Sequence, residues 1–417
     1  TGTFWTSVQA LKVMKEGGKI ITISTFFAEE RPLEQRPYRF RGPYTASQGA
    51  KNRLVEAMSW ELTEKGIVSI GTNPGPVHSD RIYKTVYPKA ASEFLRVSGF
   101  EDLSPEDVES ANKEILGLLG EDEQTIKDGI KSAAEKLGKQ ETTLTNLLNK
   151  VQGIAEKIQK NTSTMIADQQ FLSQDQVATT VLTLAGDEQS KILNGKIIPG
   201  DRVFYPVKSH ITSSFPKIEK NNFDGIDCVI TNDGADDAIE KGKNLKSLIE
   251  NRGGKITDNG QLHIHITGNL PTFSKLTELT RNEWNGLVDK FINNPATIAQ
   301  NAMESFVPGG STDPRLFNNA KGRIVIIGPD LPAGKKISGH ERAKVEVFRG
   351  ALRPFATTVN QELSDVLKSN VRMFLILPGT VDGKEPNDEN IMNAINYLVT
   401  DEAGTSSEVI FCPDESR

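Results

Sequence analysis

Several things are scarce in this sequence. Only two cysteines, Cys228 and Cys412, occur among 417 residues, far apart and in no CxxC pair. That argues against a disulfide framework and a cysteine-based zinc site, and fits buried thiols in a reducing compartment. Basic residues are not in excess either: 49 Lys and Arg stand against 55 Asp and Glu, a formal charge of −6. With no surplus to neutralise phosphate, neither a nucleic-acid partner nor an anionic-membrane surface is expected. No apolar run approaches the roughly 20 residues that span a bilayer, and no signal-peptide pattern is visible, so a cytoplasmic protein is expected. His263 and His265 alternate along an expected strand, residues 261–266, with no Cys or acid near them in sequence. No metal site is expected there. An initiating Met is also missing, and residues 4–14 already read as a helix, so the chain is expected to be a piece of a longer protein.

What is present is the composition of an ordinary soluble protein, long enough for two or three domains that each bury a core. The run KIITIS (residues 19–24) is β-branched and apolar and follows Gly17-Gly18, the mark of a buried parallel strand. A helix is expected over residues 45–64, closed by Gly66, then a strand over 67–71 that ends in Asn73-Pro74-Gly75-Pro76. Ser104-Pro105-Glu106-Asp107 is a helix start, and three short amphipathic helices follow to about residue 158. They form an all-helical insertion at about 100–160, most simply a cap on the sheet domain. Alternation resumes with a helix over 175–184 and a strand over 195–203, and residues 209–222 read as a linker.

The second half repeats the order. Strands are expected at 227–231, 262–267, 323–328, 371–377 and 408–411. Helices fall at 235–250, at 282–306 with a break near Pro295, at 341–367 with a kink at Pro354, and at 388–399. The fold class is therefore α/β, two doubly wound Rossmann-like parallel-sheet units in tandem. Residues 1–208 form a truncated first unit that carries the insertion, and residues 217–417 form a second.

Local signatures, taken together, resemble the short-chain dehydrogenase/reductase family. Ser24-Thr25 stands where that family has its catalytic serine, with Thr25 the closer counterpart. Tyr44 in YTASQGAK matches the tyrosine of its YxxxK helix. Asn73 to Arg81, NPGPVHSDR, matches the Pro-Gly turn along the nicotinamide. Tandem units with a helical insertion after that turn are similar to malonyl-CoA reductase, in which an active unit precedes a degenerate one.

The resemblance implies an NADP-dependent reductase (NAD is the alternative) acting on a carbonyl or acyl-CoA thioester. A generic 3-oxoacyl reductase or a silent scaffold with dimer contacts through helices 45–64 and 341–367 are the other readings. Thr25, Tyr44 and Lys51 are its implied catalytic residues, and Pro74, Gly75, Pro76 and Val77 its implied cofactor contacts. Arg41 and Arg81 are candidates for a substrate carboxylate, because guanidinium binds carboxylate bidentately. A homodimer is the expected assembly.

An unperturbed tyrosine, with pKa about 10, is a poor proton partner near neutral pH. The family's lysine lowers it, but Gln48 occupies that position here, and Lys51 lies seven residues beyond Tyr44. In the second unit the first turn, Thr231 to Asp237, has one glycine and three carboxylates where a pyrophosphate would approach. Pro329 falls at the serine position, and His340 at the tyrosine position with Lys344 four residues on. That unit is expected to be non-catalytic.

Overall fold

The computed structural model describes residues 1–25, 42–75, 77, 79, 81–164, 171–199, 223–311, 313–330, 338–379, 388–399 and 409–412. The expected linker at 209–222 lies outside them. After α1 (Gly2–Leu11), the KIITI run forms β1 (Lys19–Ile23), which pairs in parallel with β2 (Val68–Asn73). Between these strands runs α2 (Gly42–Leu62), packed on β2, where the Ser69 hydroxyl donates to the Val55 carbonyl at 3.0 Å. Gly66 ends the helical stretch in the left-handed conformation, φ 64°, which a residue without Cβ adopts freely.

The helical insertion starts earlier than expected. A four-helix cap is built from α3 (Tyr87–Ser98), α4 (Pro105–Ile115), α5 (Glu123–Leu137) and α6 (Glu141–Thr164). Pro88 sits in the first turn of α3, where its missing N–H leaves no bond unmade. Ser104 caps α4 as its sequence implies: its hydroxyl accepts from the Asp107 N–H, and the Asp107 carboxylate accepts from the Ser104 N–H. Tyr87, Leu95, Val108, Ile115, Leu144 and Val151 share one core, distinct from the cores on either sheet. The cap thus buries its own apolar stripes. Then α7 (Gln174–Ala185) and α8 (Asp187–Ile192) lead to β3 (Ile197–Pro199), completing a three-stranded sheet of order β1-β2-β3.

The second unit comprises β4 (Asp227–Asn232), α9 (Asp236–Glu250), β5 (Lys255–Ile256), β6 (Leu262–Ile266), α10 (Arg281–Val288), α11 (Asn294–Ser305), β7 (Lys321–Ile327), α12 (Gly339–Gln361), β8 (Asn370–Pro378), α13 (Asp388–Leu398) and β9 (Val409–Cys412). Its strands form one all-parallel sheet of order β5-β4-β6-β7-β8-β9. Order reverses at β4, so the crevice for a ligand in such a sheet opens at the ends of β4 and β6. The expected break near Pro295 is a π-helical turn, Asp289–Asn293, after which Pro295 enters the first turn of α11. At Pro354, by contrast, α12 continues.

The long helices α2 and α12, expected to serve contacts between two copies, pack on each other within one chain. Thr45 meets Thr358, Gly49 meets Gly350, and Glu61 meets His340, so rising numbers on one helix match falling numbers on the other. The helices are antiparallel. Phe4 and Trp284 stack beside them at 3.7 Å between ring centroids, in a core that also holds Leu54, Met58, Val347 and Phe348. Burying each such large apolar side chain contributes about 2 kcal/mol.

Candidate active site

Ser24 and Thr25, both buried, continue the line of β1, and the Ser24 N–H donates to the Thr72 carbonyl at 2.9 Å. Successive residues of a parallel strand turn their polar groups to opposite sides. Since Ser24 faces β2, the Ile23 carbonyl faces the other side, where β1 has no neighbouring strand among the described residues. Lys51 donates its Nζ to that carbonyl at 3.1 Å. Its ammonium thus caps the edge of β1, two residues short of Thr25, and burial holds the Lys51 pKa below its ordinary value.

Tyr44 lies in the first turn of α2 and is partly exposed. One turn on, Gln48 Oε1 accepts the Ser24 hydroxyl at 3.2 Å. The position that would carry a lysine is therefore a neutral amide tied to the strand. Pro74 and Gly75 follow β2, and Val77 forms an isolated parallel bridge with Leu172. Among the described residues, a Cβ on Gly75 would meet only Leu172 Cδ1, at 3.8 Å. Pro76 and Arg41 lie outside the described residues. Arg81 is exposed at the head of a π-helical turn, Ile82–Val86, that opens the cap.

Three aromatic residues near this turn escaped the sequence reading. Tyr83 packs edge-on to Phe171 at 6.4 Å and to Tyr87 at 6.0 Å, which pins the cap beside the Pro-Gly turn. Burial, with Tyr87 nearby, raises the Tyr83 pKa. Nearly ninety positions separate Tyr83 from Phe171, and no local periodicity links them.

In the second unit, carboxylates of the chain itself bond backbone donors at the crevice. Asp233, with almost no exposed side-chain surface, accepts from the Ala235 N–H at 3.0 Å and the Gly268 N–H at 2.8 Å. Asp237 accepts from the Asn269 N–H at 2.7 Å, and Lys290 stands 3.4 Å from Asp233. Backbone N–H groups at a strand-to-helix turn are what a pyrophosphate needs. Here Asp233 holds the Ala235 N–H of that turn, and Asp233 and Asp237 hold the Gly268 and Asn269 N–H groups after β6. A dinucleotide pyrophosphate does not fit this turn, because carboxylates already occupy its donors.

Residues 1–87 match the family model for short chain dehydrogenases, a span that holds Thr25, Tyr44, Pro74 and Gly75. The chain is also similar in structure to the N-domain, with NADP, of a bacterial malonyl-CoA reductase. The TM-score is 0.65 at 15% identity, over 99% of this chain and 73% of that one. The C-domain with NADP of a bacterial malonyl-CoA reductase gives 0.59 at 13% identity, over 97% and 78%. The fold is α/β with two parallel sheets, as in those two malonyl-CoA reductase domains. No curated protein sequence matches the chain.

In the second unit His340 and Lys344 do not work as a pair. Lys344, buried, donates to the carbonyls of Phe273 and Ser274, each at 2.8 Å, and to Glu341 at 2.9 Å. His340 Nε2 lies 3.6 Å from Glu61 Oε1 of the first unit. Glu61 itself is buried and accepts from the N–H groups of Leu276 and Thr277 and from the Thr277 hydroxyl. Lys344 and Glu61 thus clasp the 273–277 segment. His263 and His265 share one face of β6. His265 Nδ1 is 2.9 Å from Thr231 Oγ1, and burial lowers its pKa to about 4. His263 Nε2 is 3.2 Å from Ser305 Oγ, and its pKa is lowered too, again by burial. Among the described residues no helix is long and apolar enough to cross a membrane, and no three metal-ligating side chains gather.

Proposed function

We propose that the first unit belongs to an NADP-dependent reductase of a carbonyl or CoA thioester, in the manner of malonyl-CoA reductase, and that the second unit is its non-catalytic partner. The observation that carries this reading lies inside the family-matched span: Ser24-Thr25, which follows β1, meets the start of α2, where the Ser24 hydroxyl bonds Gln48 one turn beyond Tyr44. When bound, the nicotinamide supplies hydride to the carbonyl carbon. Tyr44 hands its hydroxyl proton to the carbonyl oxygen, and the Thr25 hydroxyl hydrogen-bonds the same oxygen. Lys51 steadies the strand end that presents Thr25. Pro74, Gly75, Pro76 and Val77 line the nicotinamide, and Arg41 and Arg81 receive the free carboxylate of a malonyl group. We place the protein in the cytoplasm, and any homodimer uses surfaces other than the mutually covered α2 and α12.

One observation favours a second reading, a silent scaffold: Gln48 puts no charge beside Tyr44. The deciding experiment follows NADPH absorbance in the protein at its natural length, with malonyl-CoA and with malonate semialdehyde. Turnover with either supports the reductase. A folded protein that turns over neither leaves the scaffold.

A further inference from the structure

The lower rim of the second sheet, at the N-terminal ends of β7 and β8, carries a second feature. A cavity of about 560 Å³ opens there, lined by Lys321, Arg323 and Arg372 with the amides of Gln261 and Asn370. No carboxylate lines it among the described residues. Register pairs Lys321 with Asn370 and Arg323 with Arg372, so two guanidinium groups stand side by side on neighbouring strands. Like charges directly opposite each other destabilise a sheet.

Both arginines are fixed in place by main-chain carbonyls. Arg323 Nη1 donates to Gly322 and Asn370 at 3.1 and 3.0 Å, and Arg372 Nη1 to Ser369 and Val371 at 3.0 and 2.9 Å. For Arg372 these bonds use one nitrogen only, and it makes no ion pair with a described residue. The rest of its planar fork is left for a ligand. The same sheet face is apolar above, with Val325, Ile327, Phe374 and Ile376 in the core. The change from core to cations at the rim is abrupt.

We infer that this rim is an anion site for a compact phosphate-bearing group, with Arg372 and Lys321 as its principal contacts. It is separate from the carbonyl site, because ligands of parallel sheets bind at the opposite, C-terminal strand ends. Its presence would give the second unit a binding role that does not depend on the reductase reading.

The test is calorimetric titration of the whole protein with inorganic pyrophosphate at fixed ionic strength, with sodium sulfate as the charge control. One saturable pyrophosphate site per chain is expected, with affinity reduced about tenfold in Arg372→Gln and severalfold in Lys321→Gln. ADP in place of pyrophosphate tells a nucleotide from a bare phosphate: tighter binding means that the nucleoside adds contacts, and equal binding assigns the site to phosphate alone. Absence of saturable heat, or affinity unchanged in Arg372→Gln, overturns the inference. Should Arg372→Gln melt early, the exposed Lys321→Gln decides alone, and unchanged affinity there overturns the inference equally.

Discussion

Gly49 of α2 lies against the main-chain carbonyl of Gly350 of α12: a Cβ at Gly49 would sit 2.1 Å from the Gly350 oxygen and 2.7 Å from Pro354 Cγ. The helices cross where neither carries a side chain. Gly49→Ala should therefore destabilise the protein by about 2 kcal/mol, because the clash outweighs the gain in helix propensity. Gly286→Ala, on α10 with nothing within 4 Å, should instead stabilise by up to about 1 kcal/mol. Denaturant unfolding of both variants checks the contrast, and equal effects would refute the crossing argument.

At the proposed active site, Tyr44→Phe should cost about a hundredfold or more in turnover, the usual worth of a positioned proton donor. Gln48→Lys should raise turnover about tenfold near neutral pH, since a cation one helical turn from Tyr44 lowers the tyrosine pKa. NADPH oxidation rates measure both. A Gln48→Lys variant with lower activity would mean that the Ser24 contact matters more than charge.

Acid should find a weak point at His265. Its pKa, about 4 when folded, lies below the ordinary 6.5, so the unfolded chain binds a proton that the folded one refuses. The stability present above pH 6.5 is then lost as pH falls toward 4, by about 3 kcal/mol. His265→Asn, which keeps an acceptor near Thr231 but does not titrate, should flatten that limb of a stability-against-pH curve.

Glu61 joins the units through a buried carboxylate. Glu61→Ala leaves the N–H groups of Leu276 and Thr277 unmatched and should cost about 3 kcal/mol, read from the unfolding midpoint. Loss confined to surface-like values, under about 0.5 kcal/mol, would show that water replaces the clasp.

Much of this was legible in the sequence. Patterns of β-branched and apolar residues located β1, β4, β6, β7 and β8, and Ser104 and Gly66 announced helix ends that the structure places there. Local chemistry was enough for these. The two-residue β5 was not read, because Lys255–Ile256 is too short to show a period, and α3, the first helix of the cap, went unread. Tertiary contacts lay further out of reach. That Gln48 bonds Ser24, that Lys51 turns to Ile23, and that Asp233 and Asp237 turn to the main chain at the second crevice depend on side-chain directions set by packing. The sequence placed three carboxylates at that crevice; only the fold shows that Asp233 and Asp237 hold backbone donors there.

The pairing of α2 with α12 has a consequence for mass action. Two separate subunits joined by such an interface come apart on dilution, and their stability depends on concentration. Here both faces belong to one polypeptide, so each meets its partner at a local concentration set by the tether rather than by the cell. The seam at Gly49 and Gly350 stays closed in a protein present at any abundance.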